Sequence, residues 1–405
     1  MIWHVLHIID ILLWVIMAAS VMYVAFFAFV SLFSHPNNSK RTSPSSTSAG
    51  KSSLSGGFRE ASFLVLYPAY HEDKVIIHSV QQFLQSDYPK DKYHLAVISD
   101  HMEDTTNAQL GSFPITLLQP TFEKSSKAKA LQYAIDFFDS RDEKTFDYVV
   151  ILDADNVVRP DFLTQLNASC EQGHRAIQCH RCAKNSDNDI AVLDGVSEEI
   201  NNTLFRRAHN VVGMSSALIG SGMCFDFKWF KEHVTLLSSA VEDRELEALL
   251  MKEKVYVKFE NDIPVFDEKV SNSDNFQRQR LRWMTGQVQT LLLMLPYIPK
   301  AIVTGNINYI DKTIQQALIP RSMLLVITLA MAILLSACVS VWCFKWWLLF
   351  GLLCLSLFVA MPSALRRRSV FSRLTYLPRL VWRMITNLFK INHKNKEFIH
   401  TTHNK

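Results

Sequence analysis

Two carboxylates one residue apart follow an apolar run in FDYVVILDADN, where Asp153 and Asp155 stand just past YVVIL. Such a pair can hold a hard divalent cation beside a diphosphate, because Mg2+ or Mn2+ takes oxygen ligands and shares them with substrate phosphates. The same letters also suit an ordinary turn at a strand end, which Asp and Asn favour. A second acidic pair, Glu242 and Asp243 in VEDRELEALL, opens a stretch whose Leu246, Leu249 and Leu250 mark the buried face of a helix. Helix capping accounts for acidic residues there. A positioned carboxylate can equally take the proton of an attacking hydroxyl, and Asp243 is the candidate for that role. Lys127, at the head of KAKALQYAIDFF, can reach a phosphate or lie in solvent. Gly220, Ser221 and Gly222 form a small-residue turn where backbone can approach a ligand, or a simple tight loop. Gln279, Arg282 and Trp283 in QRQRLRWMTGQ precede an apolar run and read either as closure of a phosphate site or as a membrane-edge anchor.

These groups need a scaffold that brings them together. From residue 61 onward the chain alternates ASFLVLYPAY (strand), a polar helical stretch over 72–85, YHLAVISD (strand), ITLLQP (short strand), KAKALQYAIDFF (helix) and FDYVVILD (strand). That alternation implies right-handed crossovers and a mostly parallel sheet covered on both faces. Ligands bind beyond the carboxyl ends of such strands, which is where Glu72, Asp100, Asp153 and Asp155 stand.

The apolar residues are spread too unevenly over the 405 positions for a purely soluble protein. The first 33 residues hold a run longer than the roughly 20 residues a bilayer core needs, and no Lys or Arg precedes it, so a retained anchor is expected. Two further spans are expected over 322–341 and 346–360, joined by an aromatic turn at WCFKWW. Lys40, Arg41, Lys51, Arg321 and the Arg366-Arg367-Arg368 triplet flank these spans. The positive-inside rule then puts residues 34–320 and the tail in the cytoplasm, at the plasma or inner membrane. A net charge of +4, concentrated at membrane edges, gives no reason to expect nucleic acid. Spans without charges near their centres argue against a transporter. Seven cysteines in a reducing compartment predict no disulfide framework. Cys179-His180-Arg181-Cys182, with His174 nearby, imitates a zinc knuckle, but no second paired half follows at finger spacing, so metal binding there is not expected. The resulting plan is an anchor (1–33), a Ser-rich linker (34–57), a catalytic domain (58–285), interfacial helices (286–320), two spans (321–363) and a basic amphipathic tail (364–405).

Taken in order, PAYHE, VISDHMEDTT, SKAKAL, LDADN, GSG, VED and QRLRW resemble the membrane-embedded branch of the family 2 glycosyltransferases. That branch includes cellulose, chitin and hyaluronan synthases and ceramide glucosyltransferase. The resemblance covers essentially the whole domain between the spans. It implies a GT-A nucleotide-sugar fold flanked by transmembrane helices, an inverting mechanism, a UDP-sugar donor and Mg2+ or Mn2+ on Asp153 and Asp155. It also implies that Asp100 contacts the nucleobase, that Pro68, Tyr70, Glu72 and Lys127 lie on the donor side, and that Asp243 is the catalytic base. Gly220, Ser221, Gly222, Glu242, Gln279, Arg282 and Trp283 would then lie near the diphosphate and acceptor. The chain departs from the pattern at His71, Ser99, Ser126 and Val241, none of which removes a required carboxylate. An active enzyme is therefore expected rather than a silent scaffold. Three spans are few for a polysaccharide channel, so single transfer to a lipid-linked or glycan acceptor is expected. Processive synthesis would need partner subunits or a homo-oligomer.

Overall fold

The computed structural model describes residues 2–34, 59–140, 146–185, 188–239, 241–269, 273–338, 341–373 and 386. The expected linker from residue 35 and the expected tail from 374, residue 386 apart, lie outside the described residues.

The first half of the domain follows the alternation in the sequence. It runs β1 (Phe63–Tyr70), α2 (Ile76–Phe83), β2 (Tyr93–Asp100), α3 (Asp104–Leu110), β3 (Thr116–Leu118), α4 (Lys127–Asp139) and β4 (Tyr148–Ile151), after the N-terminal helix α1 (Ile2–Ser31). β1 shows why both faces must be covered. Phe63, Val65 and Tyr67 enter one core cluster and Leu64 and Leu66 the other, all fully buried. Side chains alternate along a strand, so a strand apolar at every position is stable only with helices on both sides.

The second half adds β5 (Val157–Val158), α5 (Phe162–Cys170), β6 (Ala176–Ala183), α6 (Asp189–Asn201), α7 (Ala208–Val211), β7 (Met223–Asp226), α8 (Phe227–Val234), α9 (Glu242–Lys252) and β8 (Val257–Asp267). The eight strands form one sheet in the order β3-β2-β1-β4-β7-β6-β8-β5. β7 and β5 pair antiparallel to their neighbours, and the other six strands run in one direction. The sheet is thus mostly parallel and GT-A-like.

The helices α10 (Ser273–Met294), α11 (Ile298–Val303), α12 (Ile307–Ala317), α13 (Arg321–Ala337) and α14 (Cys343–Ala360) follow. α10 runs unbroken across residue 285, so no element ends where the catalytic domain was expected to stop. Among the described residues two helices, Trp3–Ser31 and Cys343–Ala360, are long and apolar enough to cross a membrane. The span expected over 322–341 is shorter than that. α13 has 17 residues and ends at Ala337, and it passes the same test only jointly with α12, from which it is bent by 56°.

α1, α6, α13 and α14 share a third apolar cluster, which includes Val21, Phe27, Leu324, Trp346 and Leu353. Asp10 of α1 accepts from the indole of Trp346 at 2.8 Å and pairs with Lys345, so the start of α1 lies beside the start of α14. Tyr23 ties α1 to the domain by donating to Asp311 at 2.6 Å and meeting His209 at 3.0 Å.

Candidate active site

Two neighbouring strands end in the same way. Tyr70 and Asp100 are register partners at the ends of β1 and β2, and each is followed by a histidine in the left-handed region, His71 at φ 53° and His101 at φ 54°. Non-glycine residues there carry strain that surrounding structure must hold, and such positions cluster at functional sites. The turns direct both strand ends toward one cavity of about 970 Å³, lined by Pro68, Tyr70, Glu72 and Asp100 on this side. Asp100 is buried, and the ring Nδ1 of His101 lies 2.6 Å from its Oδ1.

β4 delivers the Asp153–Asp155 pair to the same cavity. Asp155 is held by the backbone N–H of Glu268 at 2.8 Å and by the amide of Asn156 at 3.0 Å. Lys127 follows the N-cap of α4, where Ser126 accepts from the N–H of Lys129 at 3.2 Å. Ser126 therefore supplies a capping hydroxyl at the position where the family pattern has glycine. Its neighbour's ammonium becomes a hub, donating to Asp153 at 2.5 Å and to the Gly220 carbonyl, and lying 3.4 Å from Glu242. Burial alone pulls Lys127 down, but Asp153 and Glu242 outweigh it and hold the ammonium above its usual range. Lys127 thus stays charged at neutral pH.

Glu242 and Asp243 occupy the first turn of α9, facing Lys127 across the cavity. Burial pushes Glu242 up to about 7, against the pull of Lys127 and with a further push from Asp243. Gly220 has φ +75°, and a Cβ placed on it would lie 3.4 Å from Asp243 Oδ2. Only glycine adopts that backbone freely, and the position lies in van der Waals reach of the carboxylate.

α10 closes the site. Gln279, Arg282 and Trp283 all line the cavity. Burial lowers the Arg282 guanidinium, opposed by the fields of Glu242, Asp153 and Asp243. Trp283 stacks with a different arginine. The Arg280 guanidinium lies 4.6 Å from the Trp283 ring and 4.7 Å from Phe276, and it pairs with Asp194 of α6. α10 approaches α9 closely because Gly286 has no side chain, since a Cβ there would sit 2.5 Å from Val241 Cγ1.

Of the residues singled out from the sequence, Ser221 and Gly222 are not brought to the cavity wall. The reason is local packing. Ser221 is fully buried and bonds Asn156, supporting the Asp153 loop, while Gly222 bonds Ile151 and Cys179 and abuts Val265. The cavity also has charged lining residues that the sequence reading did not single out, Arg181 and Glu268 among them. Arg181 donates to Asp267 at 2.7 Å, and burial of Asp267 is outweighed by Arg181 and Lys269, which hold its carboxyl down. Glu268 lies beside Asp155 and has a buried carboxylate oxygen, Oε2, without a hydrogen-bond partner. Its only signal in the sequence was its place after a long alternating run, VKFENDIPVFD.

The cavity does not end at the charged groups. It extends between Val24 of α1, Val196 of α6, Leu325 of α13, Phe358 of α14, and Met361. A carboxylate-rich pocket thus lies at the carboxyl ends of a mostly parallel, GT-A-like sheet and opens onto apolar helices. The glycosyl transferase family group 2 profile matches residues 148–366, and the chain belongs to that family. The mannosyltransferase PcManGT from Pyrobaculum calidifontis, solved with GDP-Man and Mn2+, is similar in fold at TM-score 0.50. It is 16% identical over 82% of this chain and 89% of its own. TarS from S. aureus (residues 1–349) aligns at TM-score 0.40 with 13% identity, over 82% of this chain and 90% of its own. Glucosyl-3-phosphoglycerate synthase from Mycobacterium tuberculosis, solved with Mn2+, UDP and phosphoglyceric acid, aligns at TM-score 0.39 with 16% identity, over 57% and 78%. No curated protein matches the chain in sequence.

Proposed function

We propose that the chain is an inverting hexosyltransferase that moves one sugar from a nucleotide-sugar donor to a lipid acceptor at the membrane surface. One observation carries this reading. A single cavity joins the Asp153, Asp155, Lys127 and Asp243 cluster to apolar side chains of α1, α13 and α14. Sugar chemistry needs the first end, and an acyl or isoprenoid tail suits the second. The residues 34–320 then face the cytoplasm, where nucleotide sugars are made.

The charged end fits a divalent cation. Asp153 and Asp155 offer oxygen ligands only, and Glu268, which lines the same cavity, keeps one buried carboxylate oxygen without a hydrogen-bond partner. Mg2+ or Mn2+ held there would neutralise charge on the leaving diphosphate. Mn2+ accompanies GDP-Man in the mannosyltransferase neighbour.

The chain's own groups do the rest. Asp100 and Tyr70 receive the nucleoside, and Lys127 and Arg282 balance the diphosphate. Asp243 takes the proton from the acceptor hydroxyl as that oxygen attacks the anomeric carbon. The bond from that carbon to the diphosphate oxygen breaks, and nucleoside diphosphate leaves with its electron pair. Attack from the face opposite the leaving group inverts the configuration. Preorganised cations aimed at developing charge are a large source of rate. Trp283, stacked on Arg280, walls the passage toward the acceptor.

The resemblance implies a uridine nucleotide, whereas the neighbour holds a guanosine one. A scan of UDP- and GDP-sugars for released nucleoside diphosphate, with purified protein in lipid nanodiscs, decides the donor. Release from no donor, with metal present, would overturn the reading and favour a silent scaffold. A processive synthase is the remaining alternative, and it would yield a ladder of long products.

A further inference from the structure

We infer that the chain carries a second cation site, distinct in chemistry from the Asp153–Asp155 cluster, built from His180, Cys182 and Glu199 and suited to Zn2+. His180 and Cys182 are two residues apart on β6, so they share one face of the strand. Arg181 between them points the other way, to Asp267 and the catalytic cavity. Glu199 comes from α6, which packs on the His180 face. One ligand atom from each of the three lies within 4.8 Å of the other two, and all three residues are half-buried.

The orientation of His180 is the second observation. Its Nδ1 lies 2.8 Å from the Asn261 carbonyl, which can only accept, so Nδ1 carries the hydrogen. Nε2 faces both Glu199 oxygens at 3.1 Å, so a cation that displaces the Nε2 proton meets that nitrogen's lone pair and a carboxylate side by side. Metal-bound histidines are usually held this way, by a carbonyl on the other ring nitrogen that fixes the tautomer. The carbonyl is available because the β6–β8 register slips between Cys179 and His180, leaving residues 261–263 as a bulge in β8. Bulges of this kind re-aim groups beside functional sites.

Imidazole, thiolate and carboxylate together suit Zn2+, whereas the all-oxygen pair Asp153 and Asp155 suits Mg2+ or Mn2+. Three protein ligands leave a fourth position for water. Binding releases the Cys182 thiol proton and any imidazolium proton to solvent. The cation would pin β6 to α6, whose Asp194, Ser197 and Glu198 wall the catalytic cavity. An ion pair between protonated His180 and Glu199 is the arrangement the same atoms take without a cation.

The test uses the full chain in detergent. After EDTA dialysis and return of Zn2+, elemental analysis should find one tightly held Zn2+ per chain in the wild type and in Asp155→Asn. Cys182→Ala and Glu199→Gln should each weaken Zn2+ binding by about 100-fold or more, since losing even a group that only holds a ligand in place costs about 10- to 100-fold. Co2+ added to the wild type should give a near-ultraviolet thiolate-to-cobalt band that Cys182→Ala abolishes. Wild-type protein that shows no such band, or that holds no more Zn2+ than Cys182→Ala, overturns the site and leaves only the ion pair. The glycosyltransferase reading is independent of either result.

Discussion

The two ends of the catalytic cavity are assembled in different ways. At the proposed donor end Tyr70, Asp100, Asp153 and Lys127 sit at element termini that local sequence sets, whereas Arg282 is carried mid-helix by α10. Tyr70 and Asp100 are register partners, Asp153 follows β4, and Lys127 follows a serine cap. At the acceptor end Asp194, Arg280, Leu325 and Phe358 come from four helices and meet only through packing. The donor end is therefore fixed by backbone, and the acceptor end by the close approach of helices. Substitutions at the first should strike chemistry, and substitutions at the second should strike assembly and access.

The largest effect is expected at Asp243. Asp243→Asn should lower kcat by about 100- to 10,000-fold, the usual worth of a positioned base. Calorimetry should find its affinity for the donor nucleotide unchanged. A near-normal rate would remove the base from the donor end and break the contrast. Gly220→Ala comes next, because it forces a side chain into φ +75° and against the Asp243 carboxylate. Strain of about 1–3 kcal/mol should lower the melting temperature, and kcat should fall by up to about 100-fold as the base shifts.

At the helical end, Gly286→Ala should destabilise by about 1–3 kcal/mol through overpacking on Val241. Adding Val241→Ala should restore much of that loss, measured as a coupling between the two sites in thermal melts. Strict additivity would mean that α9 and α10 are not in tight contact. The smallest effect concerns pH. Burial raises Glu242 to about 7, so between about 4.5 and 7 the folded protein holds a proton that the unfolded chain has lost. Stability without ligands should therefore fall as pH rises through that window. Glu242→Gln should flatten that part of the profile, and an unchanged slope would place the titration elsewhere.

How much was legible beforehand follows the same division. β1, β2, β3, α4, β4 and α9 could be read because apolar runs, caps and acidic openings are local signals. The placement of β7, antiparallel between β4 and β6, could not, since nothing in MCFD encodes its partners. Glu268 was missed for a related reason. It joins Asp155 only because β8 returns beside β5, a pairing across more than a hundred residues. Small residues admit close approach by ligand and by protein alike, and at Gly222 Val265 and Cys179 occupy the space a side chain would enter. The second span, expected to reach residue 341, is shorter because the helix stops at Ala337 although the apolar letters continue.

The central claim is that one cavity joins nucleotide-sugar chemistry to a membrane lipid. The most direct measurement is the product formed by wild-type protein in lipid nanodiscs with the donor that the scan selects, extracted into organic solvent and examined by NMR and mass spectrometry. The account predicts one sugar per lipid, with the anomeric configuration opposite to that of the donor. A product with retained configuration, or a water-soluble ladder of long chains, would contradict it.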